Sequence, residues 1–241
     1  MSNPEEMETD RAGDLRIFEE LLLLALRDRK GTMRSGSWPD LALAGAVLSE
    51  LALQEAIELE QKRRRSVVIP RGGEGLEHPL AIRALERMTE ARRPISAQSW
   101  VTRLAGMKRL REEAAGRLLE RGVLRREEDR ILLVFRRLRF PQEDSAPQDA
   151  VVERVRRAIR SEGNVDVRTA SLVGIASVTN LLQPFFERKE LRQRRRRIKA
   201  IVEANPAAVA ANEAVKAVQA AIIASTAAAS TAAASAASSS S

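Results

Sequence analysis

PDLALAGAVLSELAL, residues 39–53, is the most informative stretch of the sequence because it is apolar on almost every side of a helix. Pro39 suits the first turn of a helix, where its missing N–H costs nothing, and the residues from Leu41 to Leu53 are mostly Leu, Ala and Val. A helix without a polar face has to be surrounded by other elements. The stretch therefore predicts a central helix that is buried on all sides.

The sequence on either side of this stretch has the pattern of amphipathic helices. Before it, Leu15, Phe18, Leu22 and Leu26 recur at helical spacing, and Gly31 ends the pattern. Later, Ser96 is placed as a helix cap, and His78 before Pro79 also reads as a residue at a helix start. Helices are predicted over residues 14–30, 79–91, 97–105, 107–121, 149–160, 167–186, 187–204 and 207–224.

Two stretches are typical of short β-hairpins. Residues 57–60 and 66–69 flank a basic turn, and residues 123–126 and 131–139 flank the acidic turn at 127–129.

The predicted fold class is mainly α. A single helical domain over residues 13–224 surrounds the buried central helix and carries one or two short β-hairpins. Residues 1–12 are predicted to be a disordered arm. Residues 225–241 contain only Ala, Ser and Thr, which bury too little apolar surface to offset the entropy of ordering, so they are predicted to be a disordered tail.

Composition excludes several classes of chemistry. The 241 residues include no Cys and one His, so disulfides, thiolate metal sites and paired-histidine chemistry are excluded. Aromatic residues are 3% of the chain, too few for a base-stacking platform. No catalytic constellation is found, so we predict no enzyme, no cofactor and no metal site.

Charge and hydropathy indicate the compartment and the partners. The 41 Lys+Arg against 33 Asp+Glu give a formal net charge of +8, which suits an anionic membrane, DNA or RNA. The longest dense apolar run, Leu21 to Leu26, is far shorter than the ~20 residues of a membrane span. The acidic start, Met1 to Asp10, is unlike a signal peptide. We expect a cytoplasmic protein whose membrane contact is peripheral.

Lys108 and Arg111 form the first candidate anion site. They are three residues apart at the start of a predicted helix, so they should share a face where free N–H groups and the helix dipole already favour an anion. The spacing by itself is common, so a role for the pair remains one hypothesis among others.

Arg192, Arg195, Arg196 and Lys199 form the second. At about 100° per residue the other three fall within about 60° of Arg192, beside an apolar stripe that includes Ile198. Such a face would attract an anionic bilayer by about 1 kcal/mol per cation. An ordinary solvated face remains an equal alternative.

The second hairpin contains an apolar run, Ile131-Leu-Leu-Val-Phe135, whose two faces both need cover. Burial in the core, contact with another subunit and contact with lipid through Leu132, Leu133 and Phe135 all remain open. Trp38 in a Gly/Ser loop reads either as a core residue or as an interfacial anchor.

Several stretches taken together resemble the Golgi phosphoprotein 3 family. Their order and spacing match over residues 14–224, and the ordered set is specific although no single motif is. The stretches are Glu19-Glu-Leu-Leu-Leu-Leu-Ala-Leu-Arg-Asp28 with Gly31, Leu43-Ala-Gly-Ala-Val-Leu-Ser-Glu-Leu-Ala-Leu53 with Ile57-Glu-Leu59, Trp100 with Leu104-Ala-Gly106, Leu118-Leu-Glu-Arg-Gly-Val-Leu124, and Arg168-Thr-Ala-Ser-Leu172 with Asn180-Leu-Leu182.

The resemblance implies a peripheral membrane protein that binds phosphatidylinositol 4-phosphate through one tryptophan and three basic residues. Two basic positions fall on Lys108 and Arg111, and the third falls on Ala44, which carries no charge. The tryptophan position falls near Ser35, so Trp38 would have to take its place, and Arg34 is the candidate replacement cation.

The resemblance also implies a role for the second hairpin, here residues 123–139, in membrane insertion and self-association. The family's basic coat-binding arm has no counterpart in the acidic Met1 to Asp10.

The preferred hypothesis is a cytoplasmic adaptor for membranes with phosphorylated acidic headgroups; its protein cargo is unknown. Two alternatives remain. One is a basic winged-helix-like nucleic-acid-binding protein built on residues 107–139, disfavoured because Glu112, Glu113 and Glu120 interrupt the helix that would read bases. The other is a protein-binding scaffold.

Overall fold

The computed structural model describes residues 15–27, 31–33, 39–62, 65–131, 135–203, 220 and 222–224. The arm predicted over 1–12, the tail predicted over 225–241 and most of the helix predicted over 207–224 lie outside the described residues.

Helices make up most of the described chain, as the apolar periodicity predicts, and most of them bury one face in a shared core. The helices are α1 (Ile17–Ala25), α2 (Pro39–Leu53), α3 (Pro79–Thr89), α4 (Ala97–Ala105), α5 (Leu110–Glu120), α6 (Ala146–Arg160), α7 (Val167–Val178), α8 (Arg188–Gln193) and α9 (Arg195–Glu203).

Short antiparallel strands complete the fold. In the described residues β1 pairs with β2, β3 with β4, β4 with β5, and β6 with β7. The strands are β1 (Leu26–Arg27), β2 (Thr32–Met33), β3 (Ile57–Lys62), β4 (Arg65–Pro70), β5 (Ile95–Ser96), β6 (Glu127–Ile131) and β7 (Phe135–Arg139).

Helix α2 lies at the centre of the fold. Every residue from Ala42 to Ala52 is buried, and the helix contacts α1, α4 and α7 as well as α3 and α5. The structure thus confirms a mainly α fold around a buried central helix, with short β-hairpins at its surface.

The first helix is shorter than predicted. It ends at Ala25, and Leu26 is extended (φ −72°, ψ 140°) and pairs with Met33 in the β1–β2 ribbon. Leu26 is buried in the strand, as it would be in a helix. Its apolar side chain therefore fits the helical periodicity although the residue is extended. Leu26 joins a strand rather than extending α1 because the chain has to turn back toward α2.

The second hairpin is also shifted from its predicted position. Residues 127–129, expected to form the turn, lie inside β6, and Ile131 pairs with Phe135 at the end of the ribbon. Glu127 is partly exposed and Glu128 is exposed within the strand, so their polarity is compatible with the ribbon and did not mark the turn. Leu132 and Leu133 lie outside the described residues, as does the side chain of Phe135.

Helix caps are the most accurate local predictions. Ser96 Oγ accepts the N–H of Ser99 at 3.2 Å, and His78 Nδ1 accepts the N–H of Leu80 at 3.1 Å. By contrast, α7 stops at Val178 rather than near residue 186, and Asn180 just beyond it adopts a left-handed conformation (φ 59°). Asn is one of the few residues that enter that region at low cost.

Candidate functional site

The start of α5 differs from the prediction that places Lys108 inside the helix. The helix begins at Leu110, because Arg109 is left-handed (φ 61°, ψ 21°) and a residue in that region cannot continue a right-handed helix. Buried Met107 and Leu110 anchor this turn in the core, while Lys108 points to the surface. Lys108 and Arg111 therefore do not share a helical face; they lie on either side of the helix start.

Arg111 carries a carboxylate partner that the sequence pattern did not indicate. Its Nε donates to Asp40 Oδ1 at 2.6 Å and its Nη2 donates to Asp40 Oδ2 at 2.9 Å. Asp40 lies in the first turn of α2, so the central helix and α5 are joined at their N-terminal ends. The pair is 41–42% exposed on both sides and is therefore open to exchange with an anion from solution.

Arg83 of α3 is a third cation at this place, also missed from the sequence. Its Nη2 donates to the carbonyl oxygen of Lys108 at 2.9 Å, and its Nη1 lies 2.5 Å from Glu113 Oε1. Arg83 lies within α3 and is partly exposed. Nothing in its local sequence indicates that its guanidinium contacts the residues before α5. Arg83 thus fixes the turn that presents Lys108.

The electrostatic balance around the start of α5 is close to neutral. Arg109 pairs with Glu112 at 2.8 Å, as Arg111 does with Asp40 and Arg83 with Glu113. Within the described ranges, the ammonium of Lys108 has no carboxylate partner. We call this set the α5 entrance, defined by Arg83, Lys108, Arg109, Arg111 and the carboxylates of Asp40, Glu112 and Glu113.

Two of the predicted site residues cannot be related to this geometry. Arg34 and Trp38 lie outside the described residues, although the chain resumes at Pro39, next to Asp40. Ala44, the position that the resemblance aligned with a basic residue, is fully buried in α2, where a charged side chain would not be tolerated.

The basic stretch at 187–204 is two helices rather than one. Arg194 (φ −87°, ψ 4°) interrupts the helix between α8 and α9, and its half-buried guanidinium pairs with Glu162 at 3.3 Å. Arg192, Arg195, Arg196 and Lys199 are all exposed. Three of them, all but Arg196, line one groove of about 1110 Å³ between α7 and the α8–α9 pair.

A buried carboxylate cluster holds α1 and α2 together, and its structural role was not predicted. Glu50 Oε2 accepts the N–H of Ile17 at 2.9 Å, and Arg168 Nη2 lies 3.4 Å from Glu50 Oε1. Glu20 makes an ion pair with Arg154, whose Nη2 lies 2.7 Å from Oε1. These buried carboxylates accept the N–H at the start of α1 and pair with partly exposed arginines at the edge of the core, so they serve the fold.

The titration of Glu20 is perturbed by its surroundings. Burial raises the pKa of the Glu20 carboxyl, and attraction to Arg154 opposes that rise. His78 is likewise buried, with its ring edge-on to Phe18 at 4.7 Å. Its Nε2 is 3.7 Å from Glu19 Oε1.

Two features are absent from the described residues. No group of three or more His, Asp or Glu there is arranged to hold a metal ion. No helix within the same ranges has the length and apolar character that crossing a bilayer requires.

Comparison with known proteins gives one consistent result. The family model described as Golgi phosphoprotein 3 (GPP34) matches residues 17–218. A curated relative, the vacuolar protein sorting-associated protein 74 of Schizosaccharomyces pombe, is 27% identical over 168 residues, covering 61% of this chain and 49% of the relative. The chain therefore spans about half the length of the curated relative that it matches.

Proposed function

The chain belongs to the Golgi phosphoprotein 3 family, and from that premise we propose that it is a non-catalytic, peripheral membrane adaptor that recognises phosphorylated acidic lipid headgroups. The headgroup is phosphatidylinositol 4-phosphate or one of similar chemistry, bound at the α5 entrance by Lys108 and Arg111. The protein works at the cytoplasmic face of a membrane. Apolar residues of the second hairpin, Leu132, Leu133 and Phe135, reach the lipid interior, and the same hairpin supports self-association.

The observation that supports the proposal is that three cationic residues from different elements lie at, or reach, one helix start. Lys108 precedes α5, Arg111 lies in its first turn, and Arg83 reaches across from α3 to the carbonyl oxygen of Lys108. The N-terminus of a helix already favours an anion through its free N–H groups and its dipole. A phosphate there would meet two guanidinium groups and an ammonium in addition.

The Asp40–Arg111 pair gives this site a preference among anions. Because a half-exposed ion pair contributes only about 0–1 kcal/mol, a stronger anion can displace Asp40 from Arg111. A phosphate monoester carries roughly −1.5 to −2 charges at neutral pH and binds arginine bidentately. A phosphodiester lipid carries a single charge and competes less well. The site therefore favours headgroups that carry a monoester phosphate over ordinary anionic lipids.

Additional contacts strengthen the attachment without deciding its specificity. The exposed cations Arg192, Arg195, Arg196 and Lys199 add a diffuse attraction of about 1 kcal/mol each near an anionic bilayer. Salt screens this diffuse attraction. Salt screens the headgroup contact at the α5 entrance less, because its Arg111 is partly buried.

Vesicle flotation tests the proposal. The full chain is mixed with neutral vesicles, vesicles of a diester anionic lipid, and vesicles of equal charge that contain phosphatidylinositol 4-phosphate. We expect preferential flotation with the phosphoinositide. The double variant Lys108→Ala/Arg111→Ala should bind about thirtyfold more weakly, since two cations contribute about 2 kcal/mol.

A matched control separates the site from net charge. Arg92 and Arg93 are exposed residues between α3 and β5 and are not part of the α5 entrance, so Arg92→Ala/Arg93→Ala removes the same charge elsewhere. The control should retain most of the phosphoinositide preference. Equal flotation with neutral and phosphoinositide vesicles, or equal losses in the two double variants, would refute the headgroup site.

A further inference from the structure

His78, the only histidine of the chain, is buried at the start of α3. Because Pro79 has no N–H, the first N–H of this helix belongs to Leu80. The Nδ1 atom of His78 accepts that N–H at 3.1 Å, and the His78 carbonyl oxygen accepts the N–H of Ile82, also at 3.1 Å. The ring and the backbone of one residue therefore hold the first turn of α3.

The hydrogen bond to Leu80 exists only while the ring is neutral. A nitrogen that accepts a hydrogen bond carries no proton, so the neutral ring has its proton on Nε2. In an imidazolium both nitrogens carry protons, and Nδ1–H would then face the N–H of Leu80. Two donors make no hydrogen bond with each other. Protonation of the ring therefore removes the side-chain cap of α3.

The other ring nitrogen faces a carboxylate of α1. Nε2 of His78 lies 3.7 Å from Glu19 Oε1, and neither atom has a hydrogen-bond partner among the described residues. Glu19 is fully buried, and its second carboxylate oxygen accepts the N–H of Arg16 at 2.6 Å. A positive charge on the ring is attracted to this carboxylate. The protonated ring thus has a partner on α1 in place of its partner on α3.

Other charged groups in this part of the structure are paired with one another. Arg16 at the start of α1 has its Nη2 atom 3.4 Å from Glu77 Oε2 and its Nη1 atom 3.6 Å from Glu50 Oε1 of α2. The ring also meets Phe18 of α1 edge-on, with the ring centroids 4.7 Å apart. Glu19 is therefore the carboxylate to which a charge on the ring turns.

We propose that His78 is a pH-sensitive contact that exchanges a hydrogen bond within α3 for an ion pair with α1. Neutral His78 caps α3 through Nδ1, whereas protonated His78 pairs with Glu19 and leaves the N–H of Leu80 without an acceptor. Histidine is the side chain whose charge ordinarily changes between about pH 5 and 8, so acidification is the signal to which this contact responds. Loss of the cap favours opening of the first turn by about fivefold.

Opening of this turn affects the α5 entrance through Arg83, and this consequence rests on the proposed function. Arg83 directly follows the first turn of α3, and its guanidinium donates to the carbonyl oxygen of Lys108 and pairs with Glu113 of α5. A chain whose first turn has opened holds this cation less firmly in the site. If half of the molecules are opened, the apparent affinity for a headgroup falls about twofold.

Nuclear magnetic resonance of the full chain tests the contact without a membrane, because a single histidine gives a single pair of ring-nitrogen signals. We expect a neutral ring with its proton on Nε2 at about pH 7.5 and an imidazolium at about pH 5. Over this range the protection of the Leu80 amide against hydrogen exchange should fall about fivefold. The Ser99 amide, which the hydroxyl of Ser96 caps in α4, has an acceptor that does not titrate and should keep its protection.

Two variants separate the ring from other titrating groups. His78→Asn is the matched variant, because asparagine at an N-cap accepts the same N–H without titrating, so its Leu80 amide should keep its protection at acidic pH. Glu19→Gln keeps an acceptor for the N–H of Arg16, since glutamine also serves at this position of a capping box. It removes the charge that pairs with the imidazolium, so the loss of Leu80 protection should begin at a lower pH.

Vesicle flotation tests the consequence for the headgroup site. Between the two pH values, wild type should lose about twofold more affinity for vesicles with phosphatidylinositol 4-phosphate than His78→Asn does. Titration of the lipid phosphate is the same for both chains, so the comparison cancels it. If wild type binds the phosphoinositide but both chains lose affinity equally, the link through Arg83 is wrong.

The resonance measurements decide the contact itself. A proton on Nδ1 at neutral pH, a ring that stays neutral at about pH 5, or equal losses of Leu80 protection in wild type and His78→Asn would each overturn it. A wild-type chain that shows the expected ring and amide signals but binds no phosphoinositide would refute the headgroup site and leave the His78 contact established.

Discussion

Arg111 and Asp40 form a bidentate ion pair that joins the first turns of α5 and α2, with donor–acceptor distances of 2.6 and 2.9 Å. The two residues are 71 positions apart in the chain, so their contact results from the packing of α5 against α2. Because both side chains are about two-fifths exposed, the pair holds Arg111 in position while leaving it open to exchange.

Asp40→Asn is expected to strengthen binding to vesicles that contain a monoester phosphoinositide. The substitution removes the carboxylate that competes with the phosphate for Arg111, and a surface pair of this kind corresponds to about two- to fivefold in affinity. Quantitative vesicle co-sedimentation at two salt concentrations measures the change. Glu120→Gln, an exposed position at the end of α5, is the charge-matched control and should show a smaller increase. Unchanged or weaker binding by Asp40→Asn would show that Asp40 does not compete at the site.

Arg83→Gln is expected to weaken the same binding about fivefold, the effect of one cation of about 1 kcal/mol close to the anion. Arg83 acts both by its charge and by donating to the carbonyl oxygen of Lys108, which positions the turn before α5. Arg87→Gln removes an exposed arginine from the next turn of α3 and serves as the control in the same assay. If both variants weaken binding equally, Arg83 contributes only through its general positive charge and not through a specific place in the site.

Glu20→Gln is expected to change how stability depends on pH. Burial raises the pKa of the Glu20 carboxyl above its ordinary value of 4.5, so above that pH the folded chain retains a proton that the unfolded chain has released. The free energy of unfolding therefore falls as the pH rises from 4.5 through the raised pKa. Glutamine resembles the protonated form and should remove this part of the fall.

Urea denaturation of wild type and Glu20→Gln at several values between pH 4 and pH 8 measures this effect. The free energies of unfolding of the two proteins should be most similar near pH 4. Toward neutral pH the variant should become more stable relative to wild type. Glu86→Gln, at an exposed position of α3, should keep the wild-type dependence. A Glu20→Gln variant that loses stability toward neutral pH would show that the ion pair with Arg154 outweighs the cost of burial.

Local sequence signals predicted those parts of the fold that depend on neighbours in the chain. The buried helix α2 follows from an apolar run with no polar face, and α4 begins where Ser96 caps it. The predictions were wrong where contacts between residues distant in the chain determine the local structure. Leu26 satisfies a helical pattern but joins a strand, and Arg194 lies in a favourable helical sequence but interrupts the helix where it pairs with Glu162.

The candidate site was predictable only in part for the same reason. Lys108 and Arg111 could be selected from their spacing and the resemblance, but the left-handed Arg109 between them has no marker in the sequence. Asp40 and Arg83 reach the site through packing of α2, α3 and α5, which no local pattern reports.

Gly31 is expected to be the least replaceable residue of the β1–β2 connection. It is left-handed (φ 63°), and its carbonyl oxygen accepts the N–H of Phe140 at 2.9 Å, at the base of the second hairpin. A Cβ built there would meet the backbone carbon of Phe140 and the backbone nitrogen of Pro141 at 2.1 Å each. Backbone atoms cannot rotate away, so either the turn or the hairpin base has to move.

Gly31→Ala should therefore lower the free energy of unfolding by about 2–5 kcal/mol, combining the left-handed cost with overpacking. Gly163→Ala is the matched control: a Cβ there meets nothing within 4 Å, so the change should stay within about 0.5 kcal/mol. Urea denaturation at one pH compares both with wild type. Because Gly31 ties the chain that leads to Arg34 and Trp38 to the base of the hairpin, equal stability of the two variants would show that this connection is not rigid.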